Sequence, residues 1–333
     1  MNSPFAPAFG LGNRHAQTVF GGVLRRRPPL ALSREIWTLP DGDHLSIHFT
    51  ETRPGQPTIL VLHGLEGSAH ARYVLGFLRR IAAAGWNGVA FDFRSCGHHP
   101  EDESAKSQRF YHAGKTDDLA YVVDRLRTRE SGASAPVAAV GFSLGGNVLL
   151  KWLGELGNEN PLDAAVAISV PFDLGACARA IDAGGALSWS WIYRERFLRS
   201  LRRKALDAVT TYPGKLDLAA IRACRTFADY DGQVVAPLFG FASADDYWAR
   251  SSSKGFLAGI RRPTLLIAAT DDPFVPPESI PGDVIAKNPA LELHLAPRGG
   301  HVGFVTGSPF RPGFFAEELG TEFLAARFAA SGP

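Results

Sequence analysis

Residues 137–147, VAAVGFSLGGN, pass from an apolar run of strand length through Gly-x-Ser-x-Gly straight into the helical pattern GGNVLLKWLGEL. A strand and a helix joined by no loop meet only through a sharp turn. That turn holds Ser143 in a strained backbone conformation and pushes its hydroxyl out at the top of a sheet. Side chains two positions either side would collide there, so glycine is required at Gly141 and Gly145. The start of the following helix adds unpaired N–H groups and the positive end of a dipole beside the hydroxyl.

The surrounding chain has the rhythm this turn needs. From about residue 58 the short apolar runs TILVLHG, NGVAFDF, VAAVGF, AAVAISV, TLLIAA and LELHLA alternate with helical patterns at 70–84, 114–130, 145–156 and 313–329. Alternation of this kind specifies an α/β fold with a mostly parallel sheet flanked by helices. Ahead of it, REIWTLPDGDHLSIHFTE reads as two β segments around a Pro-Asp-Gly-Asp turn, an antiparallel hairpin leading into the sheet. The rhythm breaks between ISVPFDL and RRPTLLIAA, where roughly 85 residues replace a crossover of about a dozen. Residues 171–257 are therefore expected to form an inserted helical cap, with 1–170 and 258–333 as the core.

Composition adds exclusions. At 45% hydrophobic and 20% charged residues the chain is globular, and a net charge of +2 indicates no nucleic-acid partner. Cys96, Cys177 and Cys224 form neither a disulfide framework nor zinc-ligand spacing, so a reducing, cytoplasmic setting is expected. The N-terminal stretch lacks the pattern of a secretory signal, and no apolar run is long enough to span a membrane.

A serine hydroxyl is a poor nucleophile near neutral pH unless an imidazole takes its proton and a carboxylate fixes the imidazole tautomer. Both partners are expected downstream, acid before histidine. PTLLIAATDDPFVPP is an apolar strand ending in carboxylates, and LELHLAPRGGHVGF is a strand followed by a glycine-flanked histidine. Ser143, Asp272 and His301 fill the three roles. Asp272 is preferred because the proline and apolar residues after it return the chain to the body; Asp271 is the alternative. The backbone N–H groups of Leu65, in LVLHGLEGSAH, and Leu144 are expected to form an oxyanion hole. Gly64 lets that loop turn back toward the serine, and His63 is expected to make structural hydrogen bonds.

Three other stretches carry weaker signals. RFYHAGKT ends like a phosphate-binding loop but has Arg109 where the first glycine belongs. RSCGHHPEDE matches no zinc pattern, so no metal is assigned and the stretch reads as a solvated loop. LSWSWIYRERFLRSLRRK joins Trp189, Trp191, Tyr193 and Phe197 to six basic residues between 194 and 204. It reads as a cap helix with snorkelling arginines, with weak peripheral contact to a membrane surface as the alternative.

The serine turn together with GNRHAQT, HGLEGSAHARY, YHAGKTDD, GFSLGGNVLLKWLGE, DDPFVPP and GGHVGF, in this order, resembles the YheT-like branch of the α/β-hydrolases, and the resemblance runs nearly the whole chain. It implies an α/β-hydrolase fold with an eight-stranded sheet, a cap inserted before the acid-bearing strand, and hydrolysis of carboxylic esters, some relatives acting on acylglycerols or phospholipids. The expected substrate is a small-molecule ester with an apolar acyl group, and no cofactor is expected. The alternatives are a non-catalytic ligand-binding module on the same fold and an acyltransferase using the same triad.

Overall fold

The computed structural model describes residues 5–97, 109–129 and 135–330. Eight strands build one sheet: β1 (Ser33–Thr38), β2 (His44–Phe49), β3 (Thr58–Leu62), β4 (Asn87–Phe91), β5 (Val137–Phe142), β6 (Ala164–Ile168), β7 (Thr264–Ala269) and β8 (Leu291–Ala296). Their spatial order is β1-β2-β4-β3-β5-β6-β7-β8. β2 runs antiparallel to both β1 and β4, and every other neighbouring pair is parallel. This is the mostly parallel α/β sheet expected from the sequence, led by the expected hairpin, whose turn closes through Gly42 N–H donating to Leu39 O at 2.9 Å.

Strands buried on both faces carry apolar residues at every position, which is why the central ones read as unbroken hydrophobic runs. Every residue of β3 through β7 is buried, whereas β8 at the edge is largely half-exposed. Alternate residues feed two cores. Ile59, Val61, Ala138 and Val140 pack beneath α2 (Arg72–Ala83) and the carboxy-terminal helix Phe315–Ala330. Leu60, Leu62 and Ala139 face α3 (Asp117–Arg129) and α4 (Leu144–Leu156). The four helices expected from periodicity are present with ends shifted by at most three residues.

Between β6 and β7 the chain forms six α-helices, the longest Trp189–Asp207, here called the long insertion helix. Its basic residues do not all point outward. Arg194 donates to Asp182 O at 2.6 Å, Arg202 to Cys224 O at 2.8 Å, and Lys204 pairs with Glu66 at 2.7 Å. Three of the six cations thus hold the insertion together or tie it to the core, a use the linear pattern could not separate from snorkelling. Arg196, Arg199 and Arg203 are exposed.

A second, two-stranded sheet, β9 (Val305–Ser308) with β10 (Arg311–Phe314), follows the glycine-flanked histidine. The amino-terminal helix α1 (Arg14–Val19) continues into a π-helical turn, Phe20–Leu24. No helix among the described residues is long and apolar enough to cross a membrane. The three cysteines are free thiols. Of the stretch RSCGHHPEDE, the part from His98 onward lies outside the described residues.

Candidate active site

Ser143 sits between the last residue of β5 and the first of α4 with φ 50° and ψ −120°, a region that side-chain-bearing residues occupy only when their surroundings over-determine it. Those surroundings are visible. A Cβ on Gly141 would lie 2.6 Å from Gly146 Cα, and one on Gly145 would lie 2.5 Å from His63 O. Both contacts involve backbone, so neither can yield cheaply, and the Gly-x-Ser-x-Gly spacing follows from the close approach of β3, β5 and α4.

The three separated segments meet at this turn. Ser143 Oγ lies 2.9 Å from His301 Nε2, and His301 Nδ1 lies 2.8 Å from Asp272 Oδ2. The histidine side chain is 11% exposed and the Asp272 side chain 1%. Asp272 uses its other oxygen, Oδ1, to accept the Phe274 and Val275 amides at 2.8 and 3.2 Å. The carboxylate is therefore oriented before it meets the imidazole. The Nδ1 proton goes to Asp272 and Nε2 is left as an acceptor for the serine hydroxyl.

Asp271 points elsewhere: its Oδ1 accepts the Gly300 amide at 2.9 Å. Burial, reinforced by the negative charge of Asp272, raises its pKa above the usual carboxylate value. Of the two adjacent acids, one contacts the imidazole and the other holds the backbone just ahead of it.

The loop after β3 faces the serine closely enough that a Cβ on Gly64 would lie 3.2 Å from Ser143 Cβ. Gly64 N–H donates to Tyr73 Oη at 2.9 Å, Glu66 N–H to Tyr111 Oη at 3.2 Å, and Gly67 N–H to Gly64 O at 3.0 Å. Of the four amides 64–67, only that of Leu65 has no partner among the described residues. His63 is buried, its Nδ1 donating to Gly64 O at 2.7 Å and its Nε2 accepting the Phe93 amide at 3.1 Å. Burial lowers its pKa, which keeps the ring neutral in agreement with an accepting Nε2. The tyrosines that shape this loop were invisible in the sequence, as were the hydroxyls of Thr18 and Ser169, which accept the His301 and Val302 amides. No local pattern marks an acceptor that far along the chain.

Ser143 and His301 open into a cavity of about 1370 Å³ whose walls include Leu144, Phe197, Leu201, Phe227, Val234 and Phe274. Ligand sites usually span about 300–1,000 Å³, so this one has room for a long apolar group. The long insertion helix supplies Phe197 and Leu201, and Phe274 packs edge-on against the His301 ring at 4.6 Å between centroids. The YHAGKT stretch has a packing role at the back of the site. Buried Asn147, on α4, donates to Ala113 O at 2.9 Å and to Ser251 O at 2.8 Å, and a Cβ on Gly114 would lie 2.4 Å from Ser251 Oγ.

Residues 57–308 match the family described as the alpha/beta hydrolase fold. Over its length the chain is 36% identical to the YheT protein of Escherichia coli (strain K12), which carries a provisional esterase label, with 99% of this chain and 95% of that one covered. It is 27% identical to a mouse phospholipase, ABHD3, over 97% of this chain and 78% of that one. Among solved structures, the Pyrococcus furiosus esterase Pf2001 superposes with a TM-score of 0.58 at 19% identity, covering 98% of this chain and 100% of that one. At that identity the structural likeness carries the fold alone.

Proposed function

The chain belongs to the alpha/beta hydrolase fold family, as an esterase/lipase-type member, and from that premise we propose that it is a serine hydrolase of carboxylic esters with apolar acyl groups. Ser143 Oγ attacks the ester carbonyl while His301 Nε2 takes its proton. The Leu65 and Leu144 amides receive the developing oxyanion, and His301 then delivers the proton to the departing alcohol. Water then attacks the acyl-enzyme carbonyl while His301 Nε2 takes its proton, and that proton is returned to Ser143 Oγ as the carboxylic acid leaves. Asp272 keeps the Nδ1 proton in place and stabilises the imidazolium as it forms.

What carries this reading is the continuous run Ser143 Oγ, His301, Asp272 at 2.9 and 2.8 Å, placed where the large cavity opens. The cavity volume supports a long or medium acyl chain, and the phospholipase among the relatives supports a lipid ester as the natural class.

The test is hydrolysis of p-nitrophenyl esters and monoacylglycerols from acetyl to palmitoyl, with and without a primary alcohol as acceptor. The expected result is a kcat/KM that rises with acyl length beyond acetyl and is abolished in Ser143→Ala. No turnover of any ester would leave a binding module. Transfer to the alcohol in preference to water would make the protein an acyltransferase.

A further inference from the structure

The loop that carries His301 is not held by regular secondary structure. Gly299, Gly300, Val302 and Phe304 have φ of 155°, 59°, 58° and 44°, and a valine or phenylalanine enters that region only when something outside the loop enforces it. Three successive amides show what does. Gly300 N–H donates to Asp271 Oδ1, His301 N–H to Thr18 Oγ1 and Val302 N–H to Ser169 Oγ, each at 2.9 Å. These acceptors come from the end of β7, from α1 and from the end of β6. The exit of the loop is fixed by one side chain: Gln17 Oε1 accepts the Val305 amide at 2.7 Å, and Gln17 Nε2 donates to Val305 O at 3.1 Å. Gln17 is completely buried.

Steric fit points the same way. A Cβ on Gly300 would lie 2.5 Å from Arg14 O and 2.7 Å from Thr18 Oγ1, and one on Gly303 would lie 2.6 Å from Gly299 O and 2.7 Å from Gln17 O. α1 is thus pressed against the loop backbone, which explains why the histidine is set in Gly-Gly-His-Val-Gly. The helix is itself anchored. Asn13 caps it by accepting the His15 and Ala16 amides, and Arg25, just after the π-helical turn, makes a buried ion pair with Glu317 of the carboxy-terminal helix at 2.5 Å. On its outer side the His15 ring stacks on Trp189 of the long insertion helix, with 4.8 Å between centroids.

We propose that the amino-terminal segment GNRHAQT is the mould that sets the position of His301, with Thr18 as the positioning residue that holds its amide and Gln17 closing the loop behind it. The proposal rests on His301 being the general base. Thr18 does not itself transfer a proton to substrate: its hydroxyl hydrogen goes to Arg14 O at 2.8 Å, so its lone pair faces the His301 amide. Removing that acceptor frees the imidazole to drift from Ser143, and a displacement near 1 Å in such a geometry costs up to about 100-fold in rate.

The experiment compares wild type, Thr18→Val, Thr18→Ser and Ser169→Ala, with His301→Ala as reference, by steady-state kinetics, by the second-order rate of inactivation with a fluorophosphonate, and by thermal melting. Thr18→Val is expected to lower kcat about 10- to 100-fold with KM changed by less than about threefold, and to slow inactivation by the same factor. Thr18→Ser, which keeps the hydroxyl, restores both. Should Thr18→Val melt below the assay temperature, Ser169→Ala reads the neighbouring amide from a different segment with the same expected split. The proposal is overturned if the folded variants keep wild-type kcat and inactivation rate, or if Thr18→Ser is as impaired as Thr18→Val. An active His301→Ala would instead overturn the assignment of the base, so the two failures are distinguishable.

Discussion

Replacing Asp272 by asparagine exchanges one carboxylate oxygen for an NH2 group, and the surrounding geometry dictates how the amide must sit. Oδ1 of Asp272 accepts two backbone amides, from Phe274 and Val275, at 2.8 and 3.2 Å. The asparagine must place its carbonyl oxygen there, since its NH2 group would oppose two N–H donors. That forces the NH2 toward His301 Nδ1, which in the wild type lies 2.8 Å from Oδ2. Nδ1 must then accept, the proton moves to Nε2, and the nitrogen facing Ser143 Oγ can no longer take its hydrogen. The same exchange in a serine-protease triad costs about 10⁴ in kcat, so a loss of about 10³ to 10⁴ is expected here, equal to roughly 4–5.5 kcal/mol of transition-state stabilisation. Asp271→Asn is the internal control. Its Oδ1 bond to the Gly300 amide survives in an amide side chain, and its kcat is expected within about tenfold of wild type. Both are read as kcat and kcat/KM on a p-nitrophenyl ester at neutral pH. An Asp272→Asn enzyme keeping more than a tenth of wild-type kcat, or an Asp271→Asn enzyme losing as much as Asp272→Asn, would refute the assignment of the acid.

The packing predicts two further outcomes. Gly145→Ala places a Cβ 2.5 Å from His63 O and 2.8 Å from Leu62 O, so ester hydrolysis should fall by about 100-fold or more as the serine turn or the loop after β3 gives way; Gly255→Ala, with nothing within 4 Å of its Cβ, should leave the rate unchanged. Asp231, half-buried beside the cavity, accepts Trp248 Nε1–H at 2.7 Å, and its pKa is pushed up to about 7 by desolvation and by the nearby Asp182 carboxylate. Its folded pKa exceeds the unfolded value, so the stabilisation is complete below about pH 4 and is lost as pH rises toward 7. Denaturant titrations should show wild type losing roughly 2–3 kcal/mol relative to Asp231→Asn between pH 5 and pH 8; a difference constant across that range would reject the raised pKa.

The parts of this molecule that were readable from the chain are those whose cause is local. A strand buried on both faces must be apolar throughout, so β3 to β7 stood out as runs, and the Gly141 and Gly145 positions announced a turn that admits no Cβ. The order of serine, acid and histidine is also a property of the linear chain. What stayed hidden depends on contacts between distant segments. The bond from His301 N to Thr18 spans 283 positions, and nothing about a threonine in a short polar helix foretells it. The choice between Asp271 and Asp272 could be argued only from the proline and apolar residues after them, because which acid meets the imidazole is set by the Gly300 loop. β9 and β10 were missed for a different reason: RPGF and VTGS contain the glycines and proline that argue against strand, and they pair only as a short hairpin outside the main sheet. In the long insertion helix, charge pattern alone could not tell Arg194 and Lys204, bonded to Asp182 O and Glu66, from Arg196 and Arg203, which stay exposed.

The central claim is that Ser143 is a nucleophile made reactive by His301, and covalent trapping tests it most directly. Intact-mass analysis after exposure to a fluorophosphonate, followed by peptide mapping, should find one adduct, on the peptide carrying Ser143, absent in Ser143→Ala and strongly slowed in His301→Ala. A wild-type protein that takes up no label, or a Ser143→Ala protein labelled to the same extent, would contradict the account.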